Sequence, residues 1–394
     1  MWKPRRPAPS LNFRDSFGHH RPNQHHPRKP LAFHIEHRLL STRAPSASLF
    51  APKTSRAIST TTACRTHQSK RSTFATRRTP RRALRARLLF ATAAAAVSIT
   101  FFWASHRPFS NTNNTMGSKL APSNPSEVMV IRNITPNIVT FSVPFSRFGR
   151  LPVGGRGTLV RLTSGALAVF SPVALTPEAK AKVAELGGNV RYIVAPDIEH
   201  HIFVTEWAQA YPDAVLVGPE GLPEKRAKMS LSPENKNVGK EPFAAVFTAK
   251  NKRDIKIAPD FDADFEYEFF DSHPNKELAF FYKPDRVLIQ ADLLFNLPAD
   301  EQYSCMPEAD KPKNAGLLAR IFMSLQSAQG EAKWQKRFLW YAASSKNRDG
   351  FNTSVRRVAA WDFNTIVPCH GDTVVGGGKA LFEKVFEWHL KGRK

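Results

Sequence analysis

Four short stretches of this chain hold side chains that bind metals or move protons. They are Asp197-Ile198-Glu199-His200-His201, Asp271-Ser272-His273-Pro274-Asn275, Asp292, and Pro368-Cys369-His370-Gly371-Asp372. Neutral imidazoles and carboxylates ligate Zn²⁺, Fe or Mn²⁺, and a few of them around an open position make a catalytic metal site. A metal held there would lower the pKa of a bound water and polarise a carbonyl or phosphoryl oxygen. Asp197 and Glu199 are candidate catalytic carboxylates. In their plainer role they belong to a solvated loop or cap the helix that follows. Each stretch alone reads more readily as an ordinary loop. Their shared position gives them weight: each follows an apolar run, and in open α/β sheets ligands gather beyond the strand ends.

The elements that must position these loops can be read from residue 128 onward. The runs 138–144, 158–162 and 165–170 read as strands, with Gly154-Gly155-Arg156-Gly157 as a turn. Thr176-Pro177-Glu178 supplies an N-cap, a proline at the first helical position and an acid in the first turn. This predicts a helix up to residue 186, stopped by Gly187-Gly188. A buried strand at 191–195, a helix at 203–210 and a strand at 214–218 follow. Lys and Pro across 222–262 suggest a surface excursion. Strands at 265–270, 277–282 and 286–291 form a meander, with Lys283-Pro284-Asp285 as a turn. Helices are expected at 315–326, 333–343 and 353–361, a short strand at 366–368 and a closing helix at 379–390. Two β-rich halves that each end in helices imply an α/β fold of the αβ/βα sandwich type.

Composition narrows the function. The formal charge is +24, yet residues 1–115 carry 21 Lys/Arg and only Asp15 and Glu36 as acids. The remaining 36 basic and 31 acidic residues nearly balance, so the domain has no electrostatic footprint for nucleic acid. Cys64, Cys305 and Cys369 are too few and too scattered for a disulfide framework, and no CxxC pair exists for a thiolate zinc finger.

Residues 1–87 are rich in Arg, Ser, Thr, Pro and His, the composition of a mitochondrial transit peptide; a disordered basic tail is the alternative. Residues 88–104 are uncharged and flanked by arginines, and read as a transmembrane anchor that would place the protein at the mitochondrial inner membrane. Residues 105–127 read as a linker. Translation from Met116 would instead yield a cytoplasmic protein consisting of the 128–394 domain.

The order of these loops resembles the metallo-β-lactamase superfamily, and most closely its divergent DUF4336 family. The opening hairpin lies within 158–172. Asp271-Ser272-His273 together with 281–295 resembles the third-histidine loop, hairpin and bridging aspartate. Pro368-Cys369-His370-Gly371 resembles the final histidine loop. The resemblance implies a metallo-β-lactamase-like αβ/βα sandwich over 128–394. The chain departs from the superfamily at its signature. The HxHxDH loop aligns with Pro196-Asp197-Ile198-Glu199-His200-His201, so Pro196 and Ile198 replace the leading histidines. His200 stands where the aspartate belongs, His201 matches the last histidine, and Ser171 replaces the acid that ends the opening hairpin.

What the resemblance implies is therefore one metal rather than two. Its ligands come from His200, His201, Asp292 and His370, with His273 left over from the depleted first position. The expected cofactor is one divalent metal, Zn²⁺ before Fe or Mn²⁺, or none. The expected function is hydrolysis of a small ester, thioester, lactone or phosphoester. The alternative is an inactive superfamily relative that serves as a binding or scaffold module.

Overall fold

A computed structural model describes residue 122 and residues 124–393, except 148 and 312–315. The basic leader, the apolar segment 88–104 and the linker up to residue 121 lie outside the described residues. Among the described residues no helix is long and apolar enough to cross a membrane.

After a short helix α1 (Pro125–Val128), the first half builds one seven-stranded sheet. Its strands are β1 (Val130–Thr135), β2 (Ile138–Val143), β5 (Gly155–Arg161), β6 (Leu167–Phe170), β7 (Val190–Val194), β8 (Val215–Pro219) and β9 (Ala245–Phe247), in that spatial order. The pairs from β1 to β6 are antiparallel, and those from β6 to β9 are parallel. A small antiparallel hairpin, β3 (Ser146–Arg147) and β4 (Leu151–Pro152), interrupts the β2–β5 connection. The parallel part needs crossovers, which α2 (Pro177–Glu185), α3 (Val204–Ala210) and α4 (Leu222–Met229) provide. Thr176 caps α2 as expected, its hydroxyl accepting from the Ala179 amide at 3.2 Å.

The second half follows α5 (Pro259–Asp264). It contributes a four-stranded sheet of β10 (Phe265–Phe270), β11 (Glu277–Tyr282), β12 (Val287–Gln290) and β13 (Thr365–Pro368). The β12–β13 pair is parallel, and the other two are antiparallel. Helices α6 (Leu317–Leu325), α7 (Lys333–Phe338), α8 (Arg348–Ala360), α9 (Gly378–Val385) and α10 (Glu387–Lys391) accompany it, with a π-helical turn at Leu339–Ala343.

Side-chain parity shows how the layers stack, because successive strand residues face opposite sides. Leu278, Phe280 and Tyr282 of β11 join Ile138, Val160 and Phe170 in a core between the two sheets. Phe281 and Ala279 of the same strand face Leu339, Phe351, Val355 and Phe382 on the helical side. On the other outer face, Val139, Leu159 and Ile193 meet Ala179, Val183 and Trp207. These four layers, helix–sheet–sheet–helix, are the αβ/βα sandwich expected from the sequence.

Several boundaries differ from the sequence reading. Only Gly154 turns at 154–157, with φ +68°, and Gly155 already starts β5. Strand β1 was not anticipated, and its half-buried, polar-spotted sequence VIRNIT explains why. The 222–262 excursion holds α4, β9 and α5, and β9 is recruited as the sheet's last strand by pairing with β8. Helix α8 starts earlier, at Arg348, where the Asn347 side chain accepts from the Gly350 amide. The closing helix divides at Phe386.

Candidate metal centre

The ends of β7, β12 and β13 deliver the chemistry-bearing residues. After β7 the chain turns on Asp197, which is fully buried. Its Oδ1 accepts from the amides of Glu199 (2.7 Å) and His200 (2.8 Å) and from the His200 ring Nδ1 (2.8 Å). This side-chain-to-backbone turn fixes both the loop and the His200 imidazole. The loop is pinned to the second sheet, because the Leu278 amide donates to Pro196 O and the Ile198 amide to Asn275 O.

After β12, the fully buried Glu277 accepts the amides of Ala291 (2.6 Å) and Asp292 (3.0 Å). Burial, reinforced by Asp197 and Asp292, pushes the Glu277 carboxyl well above the usual range. Asn275 donates to Asp292 Oδ2.

After β13, Arg156 on β5 clamps the turn. Its guanidinium donates to Pro368 O (2.7 Å), Gly371 O (2.6 Å), Ser142 Oγ (2.9 Å) and Glu301 (3.2 Å). Gly371 has φ +85°, and a Cβ there would lie 2.2 Å from Asn296 O, so only glycine fits. Cys369 is held through its backbone: its amide donates to Gln290 O at 3.1 Å, and Gln302 donates to its carbonyl at 3.0 Å.

These loops bring His200 and His370 together edge to edge, with Nε2 atoms 3.1 Å apart and ring planes inclined by 53°. His370 Nδ1 is 2.6 Å from the Gly154 carbonyl, and His200 Nδ1 faces the Asp197 carboxylate. A carbonyl or carboxylate can only accept, so both Nδ1 atoms carry hydrogen, and each Nε2 presents a lone pair when its ring is neutral. Two such lone pairs in contact repel unless a proton or a metal ion lies between them. Asp292 Oδ1 is 3.2 Å from His370 Nε2 and 4.0 Å from His200 Nε2, and it makes no hydrogen bond. Asp197 Oδ2 is likewise buried without a partner.

Two groups of donors converge closely enough for one ion: His200, Cys369 and His370, and Asp197, His200 and Asp292, with the atoms of each group within 4.8 Å of one another. Two imidazole nitrogens on one tetrahedral Zn²⁺ would stand about 3.4 Å apart. The donor set therefore fits a divalent metal, and the protein has a candidate His/Asp/Cys metal site.

Charge is tightly coupled here. Burial opposes charging His200, yet Asp197, Cys369 and Asp292 lift it well above the ordinary histidine value. Burial would likewise raise Asp292, but His200 and His370 hold it below the carboxylate range. Cys369 is disfavoured as thiolate by burial, and the same two histidines outweigh that, bringing it down to about 7.

The other expected site residues lie elsewhere. His201 corrects the sequence alignment. It is buried, but its Nδ1 is 3.3 Å from Arg226 Nη1, and its carbonyl accepts from the same guanidinium at 2.9 Å. Burial, then Lys225 and Arg226, pull it well below the ordinary histidine value. Adjacent residues in the Asp197 turn point to different sides, which takes His200 into the cluster and His201 out. His273 stands outside both donor groups. Its Nδ1 accepts the Asn275 amide at 3.2 Å, and burial lowers its pKa. Glu199 is also outside, paired with Lys225 at 2.9 Å and Arg147 at 3.4 Å. Sequence reasoning missed Cys369, Arg156 and Glu277. Cys369 stood within a quoted loop, and its place directly before His370 was the available signal.

Residues 148–340 match the family model described as a domain of unknown function, DUF4336. That match contains His200 and Asp292 and ends before Cys369 and His370. No curated protein matches the chain. Among solved structures, a metal-soaked flavodiiron core from Synechocystis is similar at 12% identity and TM-score 0.43, over 66% of this chain and 60% of that one. The chain thus spans less than two thirds of that relative's length. A metallo-β-lactamase from Pontibacter korlensis is similar at 13% identity and TM-score 0.40, over 67% of this chain and 99% of that one. The flavodiiron protein of Giardia intestinalis is similar at 10% identity and TM-score 0.42, over 66% and 59%. With the four-layer sandwich and the loop order in place, the fold is metallo-β-lactamase-like, and residues 148–340 match the DUF4336 family model.

Proposed function

We propose that this protein is a mononuclear metal-dependent hydrolase acting on a small ester, thioester, lactone or phosphoester. One observation carries the reading: two imidazole Nε2 atoms 3.1 Å apart, with both Nδ1 atoms committed as donors. His200 and His370 would hold the metal, and Asp292 lies against both.

A divalent metal bound there would supply a water of lowered pKa and a Lewis acid for the substrate oxygen. The protein's own groups do the rest. Asp197 and the Gly154 carbonyl hold the two rings in the tautomer that aims Nε2 inward. Asn275 holds one oxygen of Asp292, which leaves Oδ1 directed at the histidines. The Arg156 clamp keeps the His370 turn from drifting, because two bonds from its buried guanidinium, to Pro368 O and Gly371 O, tie that turn to β5 while Ser142 and Glu301 hold the guanidinium itself.

The test is elemental analysis of the full chain, followed by assays on ester, thioester, lactone and phosphoester panels. About one equivalent of a transition metal is expected, with hydrolysis that chelation abolishes and metal restores. A chain that stays metal-free after exposure to Zn²⁺, Mn²⁺ and Fe²⁺ would overturn the reading and leave a binding module in its place.

A further inference from the structure

We infer that the third protein ligand is the thiolate of Cys369, so that the centre is a thiophilic His–Cys–His site. This rests on the proposed metal reading and goes further in naming the donor that sets metal preference.

The two converging donor groups share His200, and its ring decides between them. The Nδ1 side of His200 is spent on Asp197, whose Oδ1 also accepts two amides. Asp197 Oδ1 is thereby occupied in orienting the loop and the ring. The free side, Nε2, faces His370 Nε2, and Cys369 completes the converging donor group that contains both histidines, beside Asp292 Oδ1, which lies 3.2 and 4.0 Å from the His370 and His200 nitrogens.

Burial supports the assignment. Cys369 is 5% exposed and fixed through both backbone groups, whereas Cys305 is exposed. The neighbouring polar group, Asp292, is 7% exposed at its side chain, and its Oδ1 has no hydrogen bond while lying 3.2 Å from His370 Nε2. Three protein donors leave one position open, as in catalytic zinc sites. Asp292 Oδ1 is the carboxylate beside that position, able to accept a proton from a nucleophilic water. A thiolate with two imidazoles selects Zn²⁺ or Co²⁺ over Mn²⁺ or Mg²⁺.

The test uses Co²⁺ as the probe on the full chain carrying Cys64→Ser and Cys305→Ser, so that one thiol remains. Bound Co²⁺ is expected to give visible d–d bands together with a near-ultraviolet thiolate-to-cobalt charge-transfer band. Cys369→Ser is expected to abolish the charge-transfer band. Bound Co²⁺ is also expected to protect Cys369 from iodoacetamide, a readout that does not depend on the Cys369 variant folding. Co²⁺ bound without the band and without protection overturns the thiolate assignment while the metal reading stands. Failure to bind Co²⁺ or Zn²⁺ at all overturns both.

Discussion

His200 and His370, 170 residues apart in sequence, place their Nε2 atoms 3.1 Å apart while their Nδ1 atoms are tied to Asp197 and to Gly154 O. Loops from both sheets have to converge for this contact to exist. The loop after β7 belongs to the first sheet and the loop after β13 to the second, and Arg156 on β5 of the first sheet holds the loop after β13.

The first prediction separates the histidines. His370→Ala is expected to abolish stoichiometric metal binding, because among the described residues no other imidazole joins His200 in a converging donor group. His201→Ala and His273→Ala are expected to retain metal, since neither belongs to a converging donor group. Elemental analysis of the three purified variants decides this. Loss of metal in His201→Ala alone would restore the superfamily alignment and refute the geometry described above.

Arg156→Met is expected to destabilise the domain by roughly 3 kcal/mol, because the carbonyls of Pro368 and Gly371 lose their buried donor. Methionine occupies much of the same volume, so a cavity contributes little. Denaturant unfolding measures the loss, and a change below about 1 kcal/mol would show the clamp to be dispensable.

Gly371→Ala tests the same turn from the backbone side. The added Cβ meets Asn296 O at 2.2 Å, and φ is +85°. A cost of at least ~2 kcal/mol is expected. Metal content is expected to fall along with stability, because the His370 ring moves with its turn. A variant with wild-type melting temperature and metal content would contradict this.

His389 gives a pH prediction away from the centre. It is buried among Trp340, Phe351 and Phe386, and its Nδ1 meets Asn352 at 2.7 Å. Burial, then the charge of Arg348, lower its pKa to about 4 from an ordinary 6.5. The unfolded chain therefore binds a proton between those values that the folded chain refuses. The stabilisation is full above pH 6.5 and is lost as pH falls toward 4, by about 3 kcal/mol at most. His389→Gln, which still offers a partner to Asn352, should flatten that part of the stability–pH curve. Identical slopes for the two proteins would refute the assignment.

Much of the fold was legible in the sequence because its signals are local. Strand parity in ELAFFY, the Thr176-Pro177-Glu178 cap and the Gly187-Gly188 stop depend on residues a few positions apart, and each appears where the pattern puts it. The clustering of metal-binding residue types after strands was legible for the same reason, as was the confinement of the charge excess to residues 1–115. Tertiary structure alone decided which of two adjacent histidines enters the cluster, because that depends on the dihedral angles of the Asp197 turn. It also decided that Cys369 belongs with His200, and that Arg156 and Glu277 hold the loops from within. Those relationships span 14 to 215 residues along the chain. No spacing rule reaches that far, and the contacts arise only when two sheets, each shaped by its own local pattern, close on a common core.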